Sequence, residues 1–430
     1  MPETLPAPGR RHFLAAAGWL LATPSLSTLS KAAARESQPA WIVHATDPPN
    51  REVPLPELVR SWITPVDRFY VRSHAASPAI DPATYRLTVD GLVDRPRSLS
   101  LDDLAGLERV EATATMTCAG NRRYEHSRTR TIKGVPWQEG AIGNAVWAGY
   151  RLSDLLRLVG VQAEARHVWF DGLDRIERPG GTIGFGASIP LVKAMADLSD
   201  GRPGAIVCTH QNGQPLTPDH GFPVRTVVPG YIGARSVKWL GRIRLANREN
   251  PNHYQATAYK LVQEASAMEW AEQPAIYRFP LNSVICETKS GGATTGDPES
   301  GDPESGEAES GEAARQPGAG ETIDVSGYAL PPGDPRVTIA RVEVSGDGGN
   351  SWQMAELVGP SQPLCWQLWR VSVTLPGDAA SLVVRAIDSR GQTQPQAAPW
   401  NKKGYLYNGW HRVPFPPAAV GRSGSRSGGG

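Results

Sequence analysis

The sequence predicts an α+β chain: a β-rich region with a few short helices, followed by an immunoglobulin-like β-sandwich. Three observations lead there. Glycine and proline are abundant, at 45 and 38 of 430 residues, and call for many turns. Residues 41–270 read as short strands joined by turns, with only a few helix signals. From about Pro274 to Pro414 the apolar pattern has period two, the spacing of half-buried strands. A length of 430 residues leaves room for about three units of roughly 150 residues each.

The N-terminus stands apart. Arg10-Arg11-His12-Phe13-Leu14 opens an apolar stretch from Ala15 to Ala22, followed by Pro24 and the small-residue run Ala32-Ala33-Ala34. A charged start, an apolar core too short for a bilayer and a small-residue cleavage site describe a signal peptide over residues 1–34. Its paired arginines point to the twin-arginine route. A periplasmic protein exported already folded is therefore expected, with no membrane span after signal removal. Export in the folded state is chiefly needed when a cofactor is inserted first.

In residues 41–270, Tyr85, Leu87 and Val89 alternate onto one face of a strand that ends at Asp90-Gly91. Ser100-Leu-Asp-Asp103 reads as a helix N-terminus. Leu152 to Leu156 fits a helix with Ser153 at its start, and Ile189 to Leu198 another, opened by Pro190. In residues 274–415, Ala340, Val342 and Val344 alternate with Arg341, Glu343 and Ser345 before a turn at Asp347-Gly-Gly-Asn350. Trp369, Val371, Val373 and Leu375 form a second alternating strand, and Leu382, Val384 and Ala386 a third. A pentad repeat interrupts this region: Asp297-Pro-Glu-Ser-Gly301, Asp302-Pro-Glu-Ser-Gly306, Glu307-Ala-Glu-Ser-Gly311. Seven acids and no base from Asp297 to Glu312 predict a disordered acidic insertion within 290–320. Residues 416–430 read as a disordered tail.

Lys plus Arg number 44 and Asp plus Glu 43, for a net charge of +1. That balance excludes a general polyanion binder, so no nucleic-acid partner is expected. The sum hides segregated blocks. The leader contributes +2, the insertion −7 and the tail +2, which leaves +4 for the rest. Of the four cysteines (Cys118, Cys208, Cys286 and Cys365) none forms C-x-x-C, which removes a zinc ribbon, a thioredoxin motif and a c-type haem attachment. Two disulfides in any of three connectivities remain open.

The densest chemistry lies at Met116-Thr-Cys118-Ala-Gly-Asn-Arg122-Arg123, continuing through Arg128 and Arg130 to Lys133. The sixteen residues from Cys118 carry net +4. Neighbouring arginines stabilise a thiolate, suiting Cys118 to act as nucleophile or soft metal ligand. They also offer planar forks for an oxyanion. A second cluster runs from Asp219-His220 to Arg225 and from Gly233 to Trp239; a third is Phe69-Tyr70-Val-Arg72-Ser-His74.

Taken together, these segments resemble the sulfite oxidase family of molybdenum enzymes. The resemblance rests on Tyr70-Val-Arg-Ser-His74, Cys118-Ala-Gly-Asn-Arg-Arg123, Gly140 to Trp147, Gly184 to Pro190, and Asn212-Gly-Gln-Pro215. It continues through Asp219 to Arg225, Ala234 to Trp239, Tyr259-Lys260, Trp400-Asn401 and Trp410-His-Arg412. It implies a sulfite-oxidase-type molybdopterin domain over 41–270 and an immunoglobulin-like dimerisation domain over 274–415. Molybdenum and molybdopterin are the implied cofactors, with Cys118 as the protein thiolate on the metal. Tyr70, Arg72, His74, Asp174, His220, Arg225, Ser236, Val237 and Lys238 would hold the pterin and its phosphate. Arg72, Arg123 and Tyr259 would shape the catalytic pocket, with Trp137 as a wall. A ligated Cys118 would leave three cysteines, enough for one intramolecular pair at most.

The activity implied is oxidation of sulfite to sulfate by oxygen-atom transfer. Two departures from the family pattern stand out. Lys402-Lys403 follow Trp400-Asn401 where vertebrate members carry a pocket arginine, and a lysine keeps charge without the bidentate fork. The haem domain of the vertebrate enzymes has no counterpart in this sequence. No haem is therefore expected here, and a separate c-type cytochrome is the expected acceptor. A homodimer through the C-terminal domain is implied. The alternatives are a reductase of the same fold, acting on a sulfoxide or nitrate, and a non-enzymatic secreted binding protein. The sandwich favours the oxidase, because related periplasmic reductases lack it.

Overall fold

The computed structural model describes residues 41–197, 201–202, 204–264, 267–290, 320–376 and 381–415. The expected leader, the acidic repeat at 297–312, the tail from 416 and Leu198 lie outside these residues.

Two five-stranded sheets organise the N-terminal region. In the first the strand order is Gly186–Pro190, His167–Gly172, Leu240–Ala246, Leu87–Gly91, Arg97–Leu99. Only the pair Leu240–Ala246 with Leu87–Gly91 is parallel. Tyr85, Leu87 and Val89 are buried together, as their alternation predicts. They share a core with the helix Leu152–Val159, whose Leu152, Leu155, Leu156 and Val159 follow the spacing of one helical face. Ser153 does not cap that helix. The strand Ile142–Arg151 runs directly into it, Arg151 takes the N-cap position, and the Leu152 amide donates to the Ala205 carbonyl at 3.1 Å. A neighbouring chain segment thus satisfies one of the unpaired donors of the first helical turn.

At Ser100 the expected start is present in full. Its hydroxyl accepts from the Asp103 amide at 3.1 Å, and the Asp103 carboxylate accepts from the Ser100 amide at 2.8 Å. The helix predicted from Ile189 is shorter, covering Leu191–Met195. Ile189 instead pairs with Val168 in the sheet and is fully buried. There a β-branched side chain gains more from sheet packing than from a helix turn.

The second sheet runs Gln214–Pro215, Ile206–Gln211, Ile142–Arg151, Arg109–Thr117, with Arg225–Val227 also paired to Ile206–Gln211. Arg109–Thr117 pairs with Ile142–Arg151 along its whole length and delivers Cys118 just past its end.

The C-terminal region is a sandwich of two four-stranded sheets. One runs Asn282–Ser290, Thr322–Leu330, Gln367–Thr374, Glu356–Val358; the other Gln353–Met354, Ile339–Ser345, Ser381–Asp388, His411–Pro414. Val342, Val344, Trp369, Val373 and Leu375 are buried as expected. Ala340 is exposed, because the register shifts between Ile339 and Arg341 and turns it outward. Ile142 and Tyr259 share an apolar cluster with Tyr328 and Trp366, so the sandwich packs directly behind the Cys118 turn. Among the described residues no helix is long and apolar enough to cross a membrane.

Candidate active site

Cys118 sits in a tight turn. Its amide donates to the Ala141 carbonyl at 2.9 Å, its carbonyl accepts from the Asn121 amide at 3.0 Å, and the Gly120 amide donates to its Sγ at 3.4 Å. Gly120 lets the turn pack closely: a Cβ there would lie 2.5 Å from Arg123 Nη2 and 3.1 Å from the Trp137 ring. The thiol opens on a partly enclosed cavity.

Eleven of the twelve residues predicted for the site line this one cavity: Tyr70, Arg72, His74, Cys118, Asp174, His220, Arg225, Ser236, Val237, Lys238 and Tyr259. Arg123 does not. It lies behind Gly120, where its Nε donates to the Lys403 carbonyl at 2.9 Å and its Nη1 to the Val135 carbonyl at 2.7 Å. Trp137, fully buried, is also absent from the lining.

Local hydrogen bonds fix the protonation pattern. Arg72 Nη2 lies 2.8 Å from His74 Nε2. An arginine only donates, so that nitrogen accepts and His74 is neutral. Burial, then the Arg72 charge, holds its proton affinity well below the ordinary histidine range. His220 Nε2 donates to the Phe69 carbonyl at 3.2 Å, and Nδ1 accepts from Thr217 Oγ1 at 2.8 Å. Burial pushes its pKa down to about 3. Burial, with the adjacent Tyr405, raises Tyr259; burial, with Cys118, raises Tyr70, so both keep their phenolic protons.

The anion-binding capacity comes from cations far apart in sequence. Arg225 is buried, with Nη1 on the His220 carbonyl at 2.9 Å and Nη2 on the Ser236 carbonyl at 3.1 Å. Lys238 Nζ donates to Ser73 Oγ at 2.7 Å and the Asp219 carbonyl at 2.8 Å. Burial, then Arg225, lowers its proton affinity far below that of a free lysine. By contrast, the arginine-rich run around Cys118 is largely occupied elsewhere. Arg122 forks onto Glu125, Arg128 lies over Tyr124, and Arg130 pairs with Glu264 and stacks on Trp400.

Asp219, Met116, Phe185, Gly233 and Trp239 also line the cavity but were not named among the predicted site residues. All five fall inside segments already singled out in the sequence: Met116 in the Cys118 run, Phe185 in Gly184 to Pro190, and Asp219, Gly233 and Trp239 in the second basic cluster. All four cysteines are unpaired, so neither open disulfide forms.

These residues fit a molybdenum–pterin group. Arg225 is a buried cation and Lys238 a half-buried one, and an anionic phosphate would offset their charge. Gly233 leaves a cradle that a Cβ would fill, 2.8 Å from Tyr70 Oη and 3.2 Å from the Thr117 carbonyl. Cys118 supplies the soft donor.

Fold and cavity together define a molybdopterin-type oxidoreductase. Residues 74–254 match the oxidoreductase molybdopterin binding domain, and residues 306–416 the Mo-co oxidoreductase dimerisation domain. The chain is 34% identical over 399 residues to sulfite oxidase of Arabidopsis thaliana, covering 87% of this chain and 93% of that one. It is 40% identical over 390 residues to the mitochondrial sulfite oxidase of Macaca fascicularis, covering 87% of this chain. It spans only 65% of that relative's length. The sulfane dehydrogenase SoxCD from Paracoccus pantotrophus shares the fold, with a TM-score of 0.67 at 24% identity over 88% of this chain and 89% of that one. The chain belongs to the sulfite oxidase family.

Proposed function

We propose that this protein oxidises sulfite to sulfate at a molybdenum–pterin centre and passes the electrons singly to a separate acceptor, a c-type cytochrome. The observation that carries this reading is the cavity in which the buried thiol Cys118 faces Arg72, Arg225 and Lys238. The balanced reaction takes sulfite and water to sulfate, two protons and two electrons.

When bound, the metal–pterin group supplies two-electron oxygen-atom transfer. The rest falls to the chain. Cys118 would hold the metal. His220, Arg225, Ser236, Val237 and Lys238 would hold the pterin and its phosphate, with Tyr70, His74 and Asp174 completing the wall. Arg72 would offset the charge of an incoming sulfite, fixed by its bonds to His74 and to Asn50 Oδ1 at 3.0 Å. Tyr259, protonated, presents a hydroxyl donor. Phe185, stacked on Tyr254 at 4.5 Å, keeps one side of the cavity dry. Arg123 acts one layer back, holding the Lys403 carbonyl against the Cys118 turn.

The match to a dimerisation domain supports a homodimer through the C-terminal sandwich. The paired arginines at Arg10-Arg11 support export to the periplasm in the folded state.

The test is metal analysis of purified protein together with sulfite-dependent reduction of cytochrome c or ferricyanide. One molybdenum per chain and sulfite-dependent reduction are expected. Protein made with an intact pterin pathway but lacking molybdenum would sink the reading. Molybdenum without sulfite-dependent reduction would turn it towards the reductase.

A further inference from the structure

The strand that delivers Cys118 stands at the edge of its sheet. Arg109–Thr117 pairs with Ile142–Arg151 on one side, and a loop of the C-terminal sandwich takes its open side. The Thr115 amide donates to the Leu364 carbonyl at 2.9 Å, the Trp366 amide donates to Thr115 Oγ1 at 2.8 Å, and Cys365 Sγ donates to the Thr113 carbonyl at 3.3 Å. The loop is itself held. The Trp366 and Trp62 indoles each donate to the other's backbone carbonyl, at 2.9 and 3.1 Å. Leu364 has a φ of 65°, a conformation rare for leucine, whose cost those contacts offset.

The turn beyond Cys118 meets the sandwich a second time. Tyr328, fully buried on the strand Thr322–Leu330, accepts from Asn121 Nδ2 at 3.2 Å and donates to the Glu139 carbonyl at 3.0 Å. Asn121 Oδ1 accepts from the Ala141 amide at 3.0 Å, and the Ala141 carbonyl is the acceptor for the Cys118 amide. Cys118 thus lies midway between two tethers to the sandwich, three residues past Thr115 and three before Asn121. Packing alone does not fix it. Cys118 and Ala119 line the candidate site and also a second, smaller cavity bordered by Asn121, Asn282, Tyr328 and Tyr407. Where packing leaves a void, the direction of the buried hydrogen bonds decides the geometry.

We infer that the sandwich positions the Cys118 thiol, with Tyr328 and Thr115 as the positioning residues. Neither lines the candidate site, so each acts through the turn. This is a role beyond the dimerisation module that residues 306–416 match. That Cys118 binds a metal rests on the proposed function; that the sandwich sets its geometry does not.

Tyr328→Phe keeps the ring and removes both of its hydrogen bonds. In the cofactor-loaded protein the thiolate–metal absorption band is expected to shift, and kcat to fall about tenfold with KM for sulfite within about twofold, the effect of losing an outer partner of a metal ligand. Thr115→Val acts in the same direction at the other tether, and serves if Tyr328→Phe does not fold. Thr115→Ser keeps the hydroxyl and should restore wild-type values. In the full chain made without the pterin pathway, alkylation of Cys118 by iodoacetamide, read by peptide mass spectrometry, should run about fivefold faster in Tyr328→Phe, because the turn opens more readily. Absorption band, kcat per molybdenum and alkylation rate at wild-type values in every variant that folds overturn the inference. So does a loss of molybdenum with the band and kcat per molybdenum unchanged, which would leave the sandwich a support of the fold only. Wild-type protein that carries no molybdenum or oxidises no sulfite overturns the proposed reaction alone, and the alkylation rates still decide whether the sandwich holds the thiol.

Discussion

Replacing Arg122 by methionine is expected to destabilise the folded protein by about 3–5 kcal/mol, the cost of breaking a buried ion pair by removing one partner. Arg122 is fully buried. Its Nε and Nη2 fork onto Glu125 at 2.6 and 3.1 Å, its Nη1 reaches Asn282 Oδ1 at 2.6 Å and the Ser283 carbonyl at 3.2 Å, and its guanidinium lies 4.8 Å from the Tyr407 ring. Methionine fills much of the volume but leaves the Glu125 carboxylate and the Asn282 oxygen without that donor. The cation also explains the chemistry around it. Glu125, Glu139 and His411 present possible metal-ligand atoms within 4.8 Å of one another, yet Arg122 already supplies the positive charge there. The assay is urea denaturation followed by tryptophan fluorescence, comparing the single variant with Arg122→Met/Glu125→Leu. Removing both charges of a buried pair is far less costly than removing one, so the double variant should recover at least half of the loss. A single-variant loss below about 1 kcal/mol, or a double variant no better than the single, would refute the reasoning.

Three further outcomes are expected. Lys238→Met loses a charge-assisted hydrogen bond worth about 1.5–3 kcal/mol to the pterin phosphate, so cofactor retention should weaken about 10- to 100-fold. Molybdenum per chain after dialysis measures it, and unchanged retention would remove Lys238 from the phosphate site. Burial opposes the charge of Glu139, but the hydrogen bond and charge of His411 and the Tyr124 hydroxyl override it and hold the pKa at about 2. A depressed carboxylate stabilises the fold above its unfolded pKa. About 3 kcal/mol should therefore be lost as pH falls from about 4.5 towards 2. Glu139→Gln should flatten that part of the stability–pH curve, and a curve of wild-type slope would contradict the assignment. Lys403→Arg supplies the planar fork that the family pattern carries after Trp400-Asn401 and should lower KM for sulfite about threefold or more. An unchanged KM would make the lysine irrelevant to substrate binding.

How far the site could be read in advance depended on whether its residues lie next to one another in the chain. Tyr70 to His74, Cys118 with its turn, His220 to Arg225 and Ser236 to Lys238 are each short runs, and all of them reach the cavity. The density of positive charge around Cys118 was a poorer guide. It suggests an oxyanion fork within one loop, whereas Arg122, Arg128 and Arg130 pair with Glu125, Tyr124 and Glu264. Charge counted along a chain does not distinguish a cation facing a cavity from one that ties two layers together. The same limit applies to the fold. Alternation placed Tyr85, Leu87 and Val89 correctly, but a single bulge reversed Ala340, and the helix at Leu152 starts without a serine cap, its first amide bonded to the Ala205 carbonyl. Arg178 and His253 mark its far end: they are 75 residues apart, share no motif, and meet at 3.2 Å beside the Tyr254 turn. A family pattern recovers residues that hold a cofactor common to its members. Contacts that depend on how distant loops pack carry no such pattern, and they have to be sought in three dimensions.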